Sequence, residues 1–209
     1  MKQVQDYYFH KAKQDNYPAR SVYKLKEIHK RFKLFKPGMR VLDLGAAPGS
    51  WSLAAAEYIG ESGRVLALDL KSTLTIFPAQ VNFMQADIFD SGPEFQAALQ
   101  ATGPFHVVMS DMAPSTTGHR ATDQARSAEL IHAALELART CLRPGGGFVV
   151  KFFMGPDVQA FGRLLRTEFD TVKSFKPHSS RSESFESFYI AQGFKGFKEL
   201  PLPDPGGSA

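Results

Sequence analysis

The stretch that most constrains this chain is Asp43-Leu-Gly-Ala-Ala-Pro-Gly-Ser-Trp51. An apolar run, Met39–Leu44, leads into it, and a helix-like segment, Ser52–Ile59, follows. A strand, a glycine-rich turn and a helix in that order form a small-molecule site. Glycine has no Cβ, so the main chain of such a turn can approach a ligand closely. Asp43 ends the strand, and open α/β sheets bind their ligands at the carboxyl ends of strands.

The rest of the chain repeats this alternation. Val41–Leu44, Arg64–Asp69, Val81–Gln85, Phe105–Ser110, Phe148–Phe153, Thr171–Lys176 and Glu186–Gln192 read as strands. Ser52–Ile59, Pro93–Ala101, Asp123–Leu142 and Asp157–Glu168 read as helices. In the third helix Ala128, Ile131, Leu135, Ala138 and Leu142 recur at helical spacing, and Arg143-Pro-Gly-Gly-Gly147 stops it. The pattern predicts an α/β fold: a Rossmann-like, doubly wound, mostly parallel seven-stranded sheet with right-handed crossovers. Residues 1–37 are expected as a short basic helical segment packed on a main domain of residues 38–198. The Pro- and Gly-rich tail, 199–209, is expected to be disordered.

Charge is unevenly placed. Between His10 and Arg40 stand ten Lys/Arg and two acids, so this stretch carries +8 and the remainder −4. A polyanionic partner follows naturally. Tyr7, Tyr8, Phe9, Tyr17 and Tyr23 interleave with the charges, and aromatic plus basic chemistry suits base stacking and phosphate contact. The competing reading is a solvated helix face. The chain has no run of 18 apolar residues and no apolar stretch near its first residue, so neither a membrane span nor a secretory signal is expected. Its single cysteine, Cys141, allows no internal disulfide and no cysteine-cluster metal site. A cytoplasmic protein is expected, with Cys141 packed as a small hydrophobe.

The turn departs from G-x-G-x-x-G. Gly45 and Gly49 are present, but Ala47 stands where the second glycine would admit a pyrophosphate. The loop suits a ligand without one. Asp43 suggests a cationic or amine-bearing group, Asp69 can accept both hydroxyls of a ribose, and Asp87 can meet the exocyclic amine of an adenine. S-adenosylmethionine fits all three carboxylates. Each aspartate alone could be a turn or cap residue. Trp51 could floor the cofactor pocket or simply pack.

At this point a resemblance is plain. Lys11-Ala-Lys13, the run Arg20–Ile28, Asp43–Gly49 with Trp51, Ser110–Pro114, Val150–Phe153, Lys176-Pro177, Ser180-Arg181 and Ser184–Glu186 occur in the order of one family. The chain resembles the FtsJ family of RNA ribose 2′-O-methyltransferases, within the class I S-adenosylmethionine-dependent fold. It is most similar to members that methylate a uridine of bacterial large-subunit (23S) ribosomal RNA. The resemblance implies a Lys-Asp-Lys-Glu tetrad, which falls on Lys24, Asp111, Lys151 and Glu186, with Glu183 as a competitor for the last place. Asp111 is also implied at the cofactor. Lys151 stands out without the resemblance, because a lysine after Val149-Val150 and before Phe152-Phe153 needs a polar partner if buried.

The implied reaction needs no metal, because a sulfonium carries its own leaving group. Lys151 is the candidate proton acceptor, Asp111 its orienting partner, and Lys24 and Glu186 position the hydroxyl. The alternative keeps Lys151 charged as a stabiliser of the developing alkoxide. Lys11, Lys13, Arg20, Arg31 and Lys33 are the candidate RNA contacts. The expected partner is ribosomal RNA within an assembling or assembled large subunit, met by a monomer. The Met112–Thr122 loop, with Gly118 and Arg120, is a candidate lid. Two departures from the family pattern stand out: Ser50 in place of a glycine, and Pro18-Ala19 in a tract usually richer in arginine. Competing readings are methylation of another RNA such as tRNA, a silent RNA-binding assembly factor, and a small-molecule methyltransferase.

Overall fold

The computed structural model describes residues 2–90, 92–114, 119–155, 158–180 and 184–196. Arg181 and Glu183, the tip of the candidate lid at 115–118 and the tail from 197 onward lie outside the described residues. Two helices, α1 (Lys2–Gln14) and α2 (Val22–Phe32), come first. Then follow β1 (Arg40–Leu44), α3 (Ser50–Ile59), β2 (Arg64–Asp69), β3 (Val81–Gln85), α4 (Pro93–Thr102) and β4 (Phe105–Ser110). The chain continues through α5 (Arg120–Cys141), β5 (Leu142–Phe153), α6 (Val158–Glu168), β6 (Phe169–Phe175) and β7 (Glu186–Phe194).

The strands form one seven-stranded sheet in the order β3-β2-β1-β4-β5-β7-β6. Strands β1 to β5 run parallel, and β7 is antiparallel to both β5 and β6. The order reverses between β1 and β4, and such a switch point opens a crevice at the carboxyl edge. Because β7 is reversed, its first residue, Glu186, lies at that same edge.

Side chains of a strand alternate between faces, and each face has its own core. Val41, Met109, Val149, Phe188 and Ile190 pack with α2 and α3. Leu42, Val108, Phe148, Phe152 and Tyr189 pack with α4, α5 and α6. Phe105, Phe148, Phe152 and Phe188 are fully buried, each contributing roughly 1.5–3 kcal/mol relative to exposure.

Most boundaries fall within two residues of the sequence expectation, and two differ by more. Strand β5 begins at Leu142 rather than Phe148, because Leu142 pairs with Phe105 of β4 and the Pro-Gly stretch continues as an irregular extension with shifted register. Gly145, at φ +76°, supplies the kink. Helix α5 starts at Arg120 instead of Asp123, which shortens the expected loop. Cys141 is half-buried, and burial pushes its thiol up to about 12, which favours the protonated thiol over the nucleophilic thiolate.

Candidate active site

A cleft of about 460 Å³ opens at the carboxyl ends of β1, β2, β3 and β4. Pockets of this size hold cofactor-sized ligands. Gly45, Ala47, Asp69, Asp87, Asp111 and Met112 contribute to its wall. Gly45 has φ +76°, and a Cβ there would fall 2.7 Å from Met112 Cγ, so only glycine leaves this turn intact. Gly49, at φ +112°, caps α3 beside the Phe77 ring, and the cleft wall does not include it.

The carboxylates expected around a ligand are brought together. Asp69 accepts from the Ala47 and Lys71 amides through its two oxygens, both at 2.8 Å. That fixes the carboxylate and leaves lone pairs toward the cleft. Asp87 accepts from the Phe89 amide at 3.0 Å. Asp43 is wholly buried behind the turn, with Oδ2 accepting from the Ser52 hydroxyl at 2.6 Å. Burial pushes its carboxyl up to about 7 against the Ser52 hydrogen bond, and the charges of Asp111 and Asp69 push the same way. Asp43 Oδ1 and Asp111 Oδ1 are buried without a hydrogen-bond partner. Asp69, Asp87 and Asp111 stand in the cleft wall and Asp43 lies buried behind it, an acidic surround that fits a cationic, hydrogen-bond-donating ligand.

Beside this cleft lie two ion pairs. Lys24 Nζ is 2.5 Å from Glu186 Oε1, and Lys151 Nζ is 3.0 Å from Asp111 Oδ1. The second contact is an ion pair without hydrogen-bond alignment, and Lys151 donates instead to the Asp111 main-chain carbonyl. The register explains the grouping. Ser110 pairs with Val150, so Asp111 follows beside Lys151. Lys151 pairs with Phe188, and Glu186 lies two residues away on the same face of β7. Lys151 and Glu186 are among the few buried charged residues. Burial raises the Glu186 carboxyl, but the charge and hydrogen bond of Lys24 outweigh it, and the net shift is downward. The nearby Ser180 hydroxyl and Lys151 add to the lowering, although Ser180 Oγ has no well-formed hydrogen bond.

Lys24 reaches the site because α2 is pinned along its length. The Trp51 indole donates to the Ser21 carbonyl at 2.9 Å and packs on Phe188, so Trp51 belongs to the core and does not line the cleft. The Ser50 hydroxyl accepts from the Ala19 amide at 2.7 Å and donates to the Ala19 carbonyl at 3.1 Å. The two departures from the family pattern thus meet each other. Glu27, which charge counting treats only as an opposing acid, accepts from the His178 and Ser179 amides at 2.7 and 2.9 Å. It ties α2 to the loop carrying Ser180. A lone Glu in a basic run signals such a role only once its distant partners are known.

The sequence profile of the FtsJ-like methyltransferases matches residues 17–194. The chain belongs to the FtsJ-like methyltransferase family. A ribosomal RNA large subunit methyltransferase E of Oleidesulfovibrio alaskensis is 65% identical over 96% of this chain and 97% of its own length. A protein of the same name from Nitratidesulfovibrio vulgaris is 64% identical over 94% of this chain and 98% of its own. Among solved structures, a ribosomal RNA methyltransferase of Plasmodium falciparum superposes with a TM-score of 0.74 at 24% identity, covering 87% of this chain and all of that one. At that identity the likeness speaks for the fold.

In this FtsJ-like chain the basic segment divides into surface and core. Lys13, Arg31 and Lys33 are exposed, with Lys13 4.6 Å over the Phe9 ring and Arg31 5.5 Å from Phe175. Lys33 ends α2 in the left-handed conformation. Lys11 pairs with Asp15 at 3.0 Å, and Arg20 reaches the Ser179 carbonyl. Tyr7 and Phe9 are exposed, whereas Tyr17 and Tyr23 are buried with their hydroxyls on Glu57 and Asp15. Tyr17 and Tyr23 are core residues whose rings are closed to base stacking. No described helix is long and apolar enough to cross a membrane.

Proposed function

We propose that this chain transfers a methyl group from S-adenosylmethionine to a ribose 2′-hydroxyl of large-subunit ribosomal RNA, most specifically a uridine of 23S RNA in the subunit. The observation that carries the reading is the pair of ion pairs, Lys24–Glu186 and Lys151–Asp111, beside a cleft lined by carboxylates. Full-length relatives named as large-subunit ribosomal RNA methyltransferases support the substrate. The residues fit the donor: Asp69 for the ribose hydroxyls, Asp87 for the adenine amine, and Asp43 and Asp111 for the positive end. Bound there, S-adenosylmethionine supplies an electrophilic methyl group with its leaving group built in.

The side chains then have three tasks. Lys151 Nζ takes the hydroxyl proton while the Asp111 carbonyl and carboxylate hold it in place. Lys24 and Glu186, already locked to each other, position the ribose. Orientation of the attacking oxygen supplies much of the rate, since aligned reactants about 3–3.5 Å apart avoid a large entropy cost. Large subunits from cells lacking the modification are expected to take up labelled methyl at a single ribose 2′-oxygen. Label confined to a small-metabolite pool would overturn the reading.

The exposed cations around α1 and α2 give the RNA a docking face. Replacing Lys11, Lys13, Arg31 and Lys33 by alanine is expected to flatten the slope of log affinity against log salt by about 0.7–0.9 for each phosphate no longer neutralised. An unchanged slope would place the RNA on another face.

A further inference from the structure

We propose that the amino edge of the sheet, opposite the cleft, is a second RNA site at which Arg64, Arg40 and Arg143 hold backbone phosphates remote from the target ribose. The proposal rests on the reading that the substrate is large-subunit RNA.

Arg64 opens β2, Arg40 opens β1, and Arg143 follows the first residue of β5, while His106 lies near the start of β4. These strands are consecutive in the sheet, β2-β1-β4-β5, and neighbouring strands lie about 4.8 Å apart. The three arginines therefore stand at or near the starts of strands along one edge of the sheet. Among the described residues none of the three pairs with a carboxylate. Arg40 donates to the Gly103 carbonyl at 2.8 Å, and Arg64 to the Glu61 and Gly63 carbonyls at 3.0 and 2.6 Å. Neutral carbonyls engage a single nitrogen, Nη1, of each in these contacts and leave the charge uncompensated. Between Arg40 and Arg64 lies a cleft of about 410 Å³, to which Gln80, Asn82 and Thr102 contribute neutral polar groups.

His106 adds a second observation. Its Nδ1 accepts from the Arg40 amide at 3.0 Å, so a neutral ring carries its proton on Nε2. Nε2 lies 3.0 Å from Arg143 Nη1, which can only donate. Burial holds the imidazole below its usual pKa, and the charges of Arg143 and Arg40 act the same way. Two N–H groups facing each other are relieved by an acceptor placed against both, and a phosphate oxygen is such an acceptor. The residues Phe105–Ser110 between this edge and the tetrad span about 20 Å at 3.3 Å per residue. The contacted phosphates thus belong to a different part of the folded RNA from the target nucleotide.

The test uses the full chain carrying Arg64→Gln and Arg143→Gln together, and separately Arg64→Lys with Arg143→Lys. For methylation of purified large subunits, the glutamine pair is expected to raise KM about fivefold or more with kcat unchanged. It should also flatten the salt slope of subunit binding by about 1.4–1.8. The lysine pair should keep the wild-type slope, and binding of a short oligonucleotide spanning only the target should not change. Unchanged KM and slope on subunits overturn the proposal, as does equal weakening on the oligonucleotide. An effect that disappears on protein-free 23S RNA also overturns it, since the edge would then grip protein. Inactivity of the wild-type chain on subunits would instead remove the reading of function itself.

Discussion

Replacing Lys151 with methionine is expected to lower kcat by about 10²–10⁴, the usual contribution of a positioned acid–base group. Methionine keeps the length of the side chain and removes its nitrogen. Cofactor affinity should move far less, because Asp69 and Asp87, held by main-chain amides, stand on the other side of the cleft. The informative partner is Lys151→Arg. Arginine keeps the charge and the ion pair with Asp111, but it cannot accept a proton at any working pH. If Lys151 is the acceptor, the arginine variant is nearly as slow as the methionine variant. The wild-type rate should then rise with pH, because only neutral lysine accepts a proton. If Lys151 instead stays charged against a developing alkoxide, arginine retains substantial activity and the profile is flat. Single-turnover measurements across pH separate the two. A melting curve for the methionine variant accounts for the Asp111 carboxylate left unpaired, a loss of up to about 3–5 kcal/mol for a fully buried pair.

The features legible in the sequence depended on short-range pattern. The apolar runs at Val41–Leu44 and Phe105–Ser110 needed only their own residues to be read as strands. Lys151 announced itself because a cation between Val150 and Phe152 has no local partner. The edges of the picture depended on distant residues. Tyr17 and Tyr23 look like stacking aromatics until Glu57, forty residues on, and α1 are seen to cover them. Trp51 looks like a pocket floor until the Ser21 carbonyl claims its indole. Glu27 holds a loop more than 150 residues away. Ser50 and Ala19 read as two separate departures, yet each is the other's hydrogen-bond partner. Strand β5 runs past its glycines because β4 offers pairing to Leu142, which no local propensity encodes.

Asp43→Asn is expected to stabilise the ligand-free protein near neutral pH while weakening its response to S-adenosylmethionine. Asp43 is fully buried, one oxygen is unpartnered, and its carboxyl is pushed up to about 7. The unfolded chain titrates this group near 3.9. Between those values the folded state binds more protons than the unfolded one, so this residue's contribution to stability falls as pH rises. The loss begins near pH 4 and levels off above about 7, with a ceiling of about 4 kcal/mol. Asparagine carries no charge and can still accept from Ser52, so the difference in Tm between variant and wild type should grow across this window and then plateau. Asp69 and Asp111 sharpen the effect, because each carboxylate raises the cost of ionising Asp43. A cationic ligand reverses the balance by stabilising the ionised form. Saturating S-adenosylmethionine should therefore raise the Tm of wild type more than that of Asp43→Asn, and more strongly at pH 8 than at pH 5. Equal ligand shifts in both proteins at both pH values would mean that Asp43 serves the turn alone.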